Sequence, residues 1–165
     1  MTHHDARSIL ESDPAVTALL AAPPVAQLAY TWHDGTPRVV PMWISWNGEE
    51  IVMGAPPNSP KMRVLADRPS VALNVDTATW PYQVLSIRGT VTLEEVPMDT
   101  LDESFPEYPA MARSYLGEAG SEQFLAAQRQ TFGHWTRIRL KPVSVRFLNF
   151  QTIFPSAWTP KGADA

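Results

Sequence analysis

No cysteine occurs anywhere in the 165-residue chain. Disulfide crosslinks, thiolate nucleophiles and cysteine-ligated zinc or iron–sulfur centres are therefore excluded. No run approaches the roughly 18 to 20 consecutive apolar residues that a bilayer-spanning helix needs. The segment from Met1 to Asp13 lacks the apolar stretch of a secretory signal. A basic excess is missing too: 13 Lys and Arg face 17 Asp and Glu, for a net charge of −4. A polyanion binder shows a basic stripe, and none is present. These absences point to a cytoplasmic protein with neither membrane nor nucleic acid as partner.

What is present suits a folded chain. Apolar residues make up 44% and charged residues 18%, a balance that disordered chains do not show. The length fits one domain over residues 1–165. Charge is unevenly placed. Eight acids lie between Glu94 and Glu122, where Arg113 is the only base, whereas Lys61, Arg63 and Arg68 outnumber Asp67 between Ile51 and Val75. The middle segment therefore favours a small anionic ligand.

The 16 prolines are spread along the chain and punctuate short elements. Ser12 and Asp13 can cap a first helix with Pro14 in its first turn and Val16, Leu19 and Leu20 on its apolar face. Alternation then predicts strands over Val25–Trp32, Arg38–Trp46 and Glu50–Gly54, joined by Asp34-Gly35 and Asn47-Gly48 turns. Ser59–Asp67 reads as a short helix with Ser59 as N-cap and Met62 and Leu65 inward. Strands follow over Ser70–Val75 and Gln83–Leu93, with Gly89 marking a bulge or a close backbone approach. Residues 98–132 form a helical insertion, with helices over Phe105–Leu116 and Glu122–Phe132 separated by Gly117 and Gly120. Trp135–Phe150 alternates again around Pro142, and residues 155–165 read as an irregular tail. Six or seven short strands with tight hairpins predict a mainly β fold, a closed antiparallel barrel.

This order of elements resembles the pyridoxamine phosphate oxidase-like, FMN-binding split β-barrels. The resemblance is carried by LAYTWHDGTPRVVPMWISWNGEEIVM, NSPKMRVLADRPSVALNV and VLSIRGTVTL. It implies a split antiparallel barrel that forms a homodimer and holds its cofactor in the groove between subunits. The implied cofactor is FMN, with the deazaflavin coenzyme F-420 or haem as alternatives. The implied activity is hydride transfer to or from a small-molecule substrate, or non-catalytic carriage of flavin or haem on the same fold. A barrel that has lost its ligand and acts only as an interaction dimer is a third possibility.

By position, the resemblance assigns the cofactor phosphate to Ser59 and Lys61. Pro60 stands where the family commonly has Arg, and Arg63 lies one helical turn further on. A hydroxyl at a helix start beside a lysine attracts anions in its own right. An ordinary N-cap with two solvated cations is the plain alternative. The resemblance also places Val40, Pro41, Met42 and Trp43 along the flavin ring, although Met42 and Trp43 equally suit a core or an interface. Arg88, on the polar face of the fifth strand, suits a plain exposed surface arginine or one that reaches a cofactor or a partner's acid. Trp80 and Tyr82 suit either a ring cover or an interface. His33 belongs to a turn, His3 and His4 to a polar terminus, and His134 has no acid or nucleophile at catalytic spacing. The substrate-closing Arg-x-His of true pyridoxamine phosphate oxidases is replaced by Arg137-Ile138-Arg139.

Overall fold

Two left-handed glycines set the first half of the sheet. Gly35 (φ 83°) and Gly48 (φ 94°) occupy a region of backbone space that L side chains rarely adopt. Asp34 locks the first turn by accepting from Thr36 N (2.9 Å) and Thr36 Oγ1 (2.6 Å). Asn47 locks the second by accepting from the amides of Glu49 (3.0 Å) and Glu50 (2.8 Å). The hairpins they close join β1 (Ala26–Thr31) to β2 (Pro37–Met42) and β3 (Ser45–Trp46) to β4 (Ile51–Ala55).

The computed structural model describes residues 6–153. Helices α1 (Ala6–Ser12) and α2 (Pro14–Ala21) precede β1, and α3 (Pro60–Asp67) separates β4 from β5 (Ser70–Asp76). The long β6 (Gln83–Pro97) leads to α4 (Leu101–Ser104) and α5 (Glu107–Thr131). β7 (His134–Asn149) and the short α6 (Phe150–Ile153) follow. Helix α1 was not expected from sequence. Asp13, directly after it, caps α2 by accepting from the amides of Ala15 (2.9 Å) and Val16 (3.3 Å). His3, His4 and the tail lie outside the described residues. No helix among the described residues is long and apolar enough to cross a membrane.

All seven strands join one antiparallel sheet in the order β2-β1-β5-β6-β7-β4-β3. Its two edges, β2 and β3, are consecutive in the chain, linked only by Trp43 and Ile44. The sheet must therefore curl until its edges meet, yet no ladder joins them. This corrects both the closed barrel and the single strand expected over Arg38–Trp46. The fold is a split barrel, mainly β, with the seam at residues 43–44.

The seam is held by side chains from the helical insertion. Ile44 is buried, and its N–H donates to Tyr115 Oη (3.3 Å), while the Tyr115 hydroxyl donates to Pro24 O (3.2 Å). Burial raises the Tyr115 pKa, which keeps that hydroxyl protonated. Trp43 stacks on Tyr115 with centroids 5.1 Å apart and planes 5° from parallel, and Phe124 packs beside it at 5.2 Å. Tyr115→Phe leaves the Ile44 amide without its acceptor at a half-buried site. Urea unfolding is expected to show a loss of about 1–2 kcal/mol. A loss no greater than that of an exposed control would show that water already serves that amide.

One apolar cluster fills the barrel, from Leu28, Ile51 and Leu73 to Ile87 and Leu140; a second, with Phe105, Tyr108, Met111 and Trp135, lies under the insertion. The insertion folds as expected in composition but not in its break. Only Gly117 (φ 73°, ψ 174°) leaves helical space within α5, and Gly120 continues the helix. β6 and β7 run together over their whole lengths, with the register shift at Arg88/Gly89. Pro142 lies opposite Gly89, so the single long β7 absorbs its proline at the bulge.

Candidate functional site

The start of α3 is open. Ser59 has the extended backbone of an N-cap (φ −62°, ψ 129°), but its side chain makes no capping hydrogen bond. Its hydroxyl instead accepts from Lys61 Nζ at 2.9 Å. Lys61 is half-buried and forms no ion pair among the described residues. Burial lowers its pKa below the ordinary lysine value. A pocket of about 420 Å³ opens at Ser59, with Trp32, His33, Asn58 and the exposed Arg63 among its other walls, and Lys61 adjoins it through its hydrogen bond to Ser59. Arg68 ties the opposite wall in place by donating to Trp32 O (2.8 Å) and His33 O (3.3 Å). The arrangement is cationic, rich in donors and suited to a small anion.

A second concavity of about 1060 Å³ lies on the outer face of the sheet. The strand register lays two rows across β2, β1, β5, β6 and β7. The first is Val39, Ala29, Ala72, Arg88, Ser144; the second is Pro41, Gln27, Asn74, Ser86, Arg146. Outward positions of a solvated antiparallel sheet are ordinarily polar. Here the first row begins with small apolar side chains, and Val39 is 62% exposed. Such a face suits a flat ligand or another protein surface. Polar groups fix its other end: Arg88 Nη2 donates to Ser144 Oγ (3.2 Å), and Ser86 Oγ donates to Asn74 Oδ1 (2.9 Å). Arg88 and Arg146 are the only charged side chains among the described residues lining this groove.

The residues expected along the ring divide by strand alternation. Met42 is buried in the barrel core and Val40 packs against it, while Pro41 is exposed on the outer face. Trp43 belongs to the seam stack. Arg88 lines the groove, away from the α3 pocket. Sequence reasoning missed Val39, Gln27, Asn74 and Arg146, because only the cross-strand register brings them together. Trp80, Tyr82 and Phe150 form an edge-to-face aromatic group at the start of β6. Arg137 and Arg139 serve the architecture. Arg137 pairs with Glu107 of α5 and lies over the Phe105 ring at 5.3 Å, and Arg139 faces Glu50 (3.7 Å) and Glu94 (3.8 Å). No group of three or more His, Cys, Asp or Glu among the described residues is placed to hold a metal ion.

Comparison with known proteins agrees with this architecture. A solved F420 reductase is 27% identical, with a TM-score of 0.60 over 78% of this chain and 94% of that one. A conserved hypothetical protein from Mycobacterium tuberculosis is 17% identical, with a TM-score of 0.68 over 93% and 94%. The FAD and haem binding protein from Mycobacterium smegmatis is 19% identical, with a TM-score of 0.58 over 89% and 79%. The latter two likenesses speak for the fold alone. No curated protein sequence matches the chain. The family model for pyridoxamine 5'-phosphate oxidase matches residues 12–149. With that match spanning the barrel, the α3 pocket and the insertion, the chain belongs to the pyridoxamine 5'-phosphate oxidase family.

Proposed function

We propose that this chain is an oxidoreductase that binds FMN or the deazaflavin coenzyme F-420 between two copies and transfers hydride to or from a small molecule. The observation that carries this reading is Lys61. A half-buried ammonium with no carboxylate partner among the described residues, bonded to a hydroxyl that caps no amide at a helix start, is a costly arrangement that an anion relieves. Ser59, Lys61 and Arg63 hold the cofactor's anionic arm. Val39, Ala29 and Ala72 offer an apolar floor for a flat ring, and Gln27, Asn74 and Ser86 offer hydrogen bonds to its edge. When bound, the cofactor supplies the hydride chemistry, and the protein binds, orients and shields it. Among the described residues of one copy, no carboxylate or histidine lines the outer groove. Haem is less well served, since among the described residues one copy brings no His, Met or Tyr to that groove as an axial ligand.

Titration of the apo chain with FMN, riboflavin, F-420 and haem, followed by fluorescence quenching or absorbance, tests the reading. FMN is expected to bind about tenfold or more tighter than riboflavin, the worth of one charged hydrogen bond. Equal affinity for FMN and riboflavin, or binding of haem alone, would remove the α3 pocket from the function. Reduction of the bound ring and its reoxidation by small-molecule acceptors separates an enzyme from a carrier.

A further inference from the structure

Two like-charged pairs lack counterions among the described residues, and they match. Arg88 and Arg146 stand diagonally across β6 and β7, because Arg88 faces Ser144 and Arg146 faces Ser86 in the register. Diagonal neighbours of this kind lie roughly 7–8 Å apart. Both side chains are exposed, both line the outer groove, and neither forms an ion pair among the described residues. The opposite charge is gathered on the helical insertion. Glu118 and Glu122 lie one turn apart just after the Gly117 break, exposed, and also without an ion pair among the described residues. Side chains four apart on a helix are roughly 5–6 Å from one another, and like charges there repel. The helix dipole offsets part of that repulsion for acids in a first turn. It does nothing for the arginines.

We infer that Arg88 and Arg146 of one copy receive Glu118 and Glu122 of a second copy. The reciprocal contact forms at the same time, as two-fold symmetry requires. The inference rests on the dimer proposed above and adds which surfaces meet in it. Complementary sign and comparable spacing select the partner: an acidic helix from an identical chain, laid over the cationic end of the groove. The apolar row that begins at Val39 then lies beside the contact, so a ring seated there has the partner's insertion as one wall. Neither copy alone provides that wall.

A charge-swap experiment on the full chain tests this, with sedimentation velocity as the readout. One variant carries Arg88→Glu and Arg146→Glu, the other Glu118→Arg and Glu122→Arg. Like-charge juxtaposition at an interface is strongly unfavourable, so each variant alone is expected to dimerise roughly 100-fold more weakly than the parent. Their equimolar mixture regains dimers, because both contacts in the mixed dimer again join opposite charges. Parent-like dimers from either variant alone would overturn the inference while leaving a dimeric flavoprotein intact. A mixture that stays monomeric, although both variants unfold cooperatively, would overturn it as well. A parent chain that is monomeric at every concentration would sink the proposed dimer itself. If a reversal fails to fold, Arg88→Gln with Arg146→Gln replaces it and is expected to weaken association in the same direction.

Discussion

Lys61→Met is expected to weaken FMN binding by tenfold or more while raising the thermal midpoint of the apo protein. The two effects share one cause. Burial lowers the Lys61 pKa, so the unfolded chain holds that proton more tightly than the folded one. The charged lysine therefore costs stability at neutral pH, and the cost fades as pH rises through the folded pKa towards the ordinary value of 10.5. Methionine fills the same space without the charge. A bound phosphate has the opposite demand, since it favours the ammonium form with a charged hydrogen bond worth about 1.5–3 kcal/mol. FMN affinity should accordingly decline on the alkaline side at lower pH than an ordinary lysine would dictate. Riboflavin, which has no phosphate, should show no such dependence. Lys61→Arg keeps the charge and carries the decline to higher pH. Isothermal titration across pH and a thermal scan of each variant read both halves. An unchanged FMN affinity in Lys61→Met would take Lys61 out of the site.

The second large effect concerns folding. A methyl group at Gly89 would stand 2.0 Å from Lys141 O and 2.9 Å from Lys141 C, both backbone atoms. Neither can move aside as a flexible side chain would, because β6 and β7 are paired along their whole lengths. Gly89→Ala is expected to cost about 3 kcal/mol or more, or to prevent folding. Gly133→Ala is the control, with nothing within 4 Å of its added carbon. Urea unfolding of the pair gives the comparison, and equal stability in the two variants would mean that the bulge yields easily.

These predictions draw unequally on what the sequence reveals. Hairpins at Asp34-Gly35 and Asn47-Gly48, the short helix headed by Ser59, and the special status of Gly89 are written in local chemistry, where one or two residues decide the backbone. The break at Trp43-Ile44 is not. Alternation of Val40, Met42, Ile44 and Trp46 continues smoothly across it, and only the topology, with β2 and β3 at opposite edges, separates the strands. Gly117 and Gly120 look alike in sequence, yet packing fixes the break at the first. The α3 pocket was legible because its Ser and Lys are neighbours in the chain. The outer groove was not, since Val39, Gln27, Asn74 and Arg146 come from four strands and meet only through their register. Val40 and Met42 show the same limit from the other side, because an edge strand must turn alternate residues inward.

The unladdered seam has a consequence for behaviour at high concentration. A sheet with two open edges can template strands from neighbouring molecules, a route to aggregation. In this barrel β3 is two residues long, and β2 reads Pro37, Arg38, Val39, Val40, Pro41, Met42. Prolines persist in a paired strand where the missing donor would have faced away from its neighbour. The two in β2 therefore delete hydrogen-bond donors along the rim that an intruding chain would use, and the gap in the barrel stays closed to strangers without being sealed.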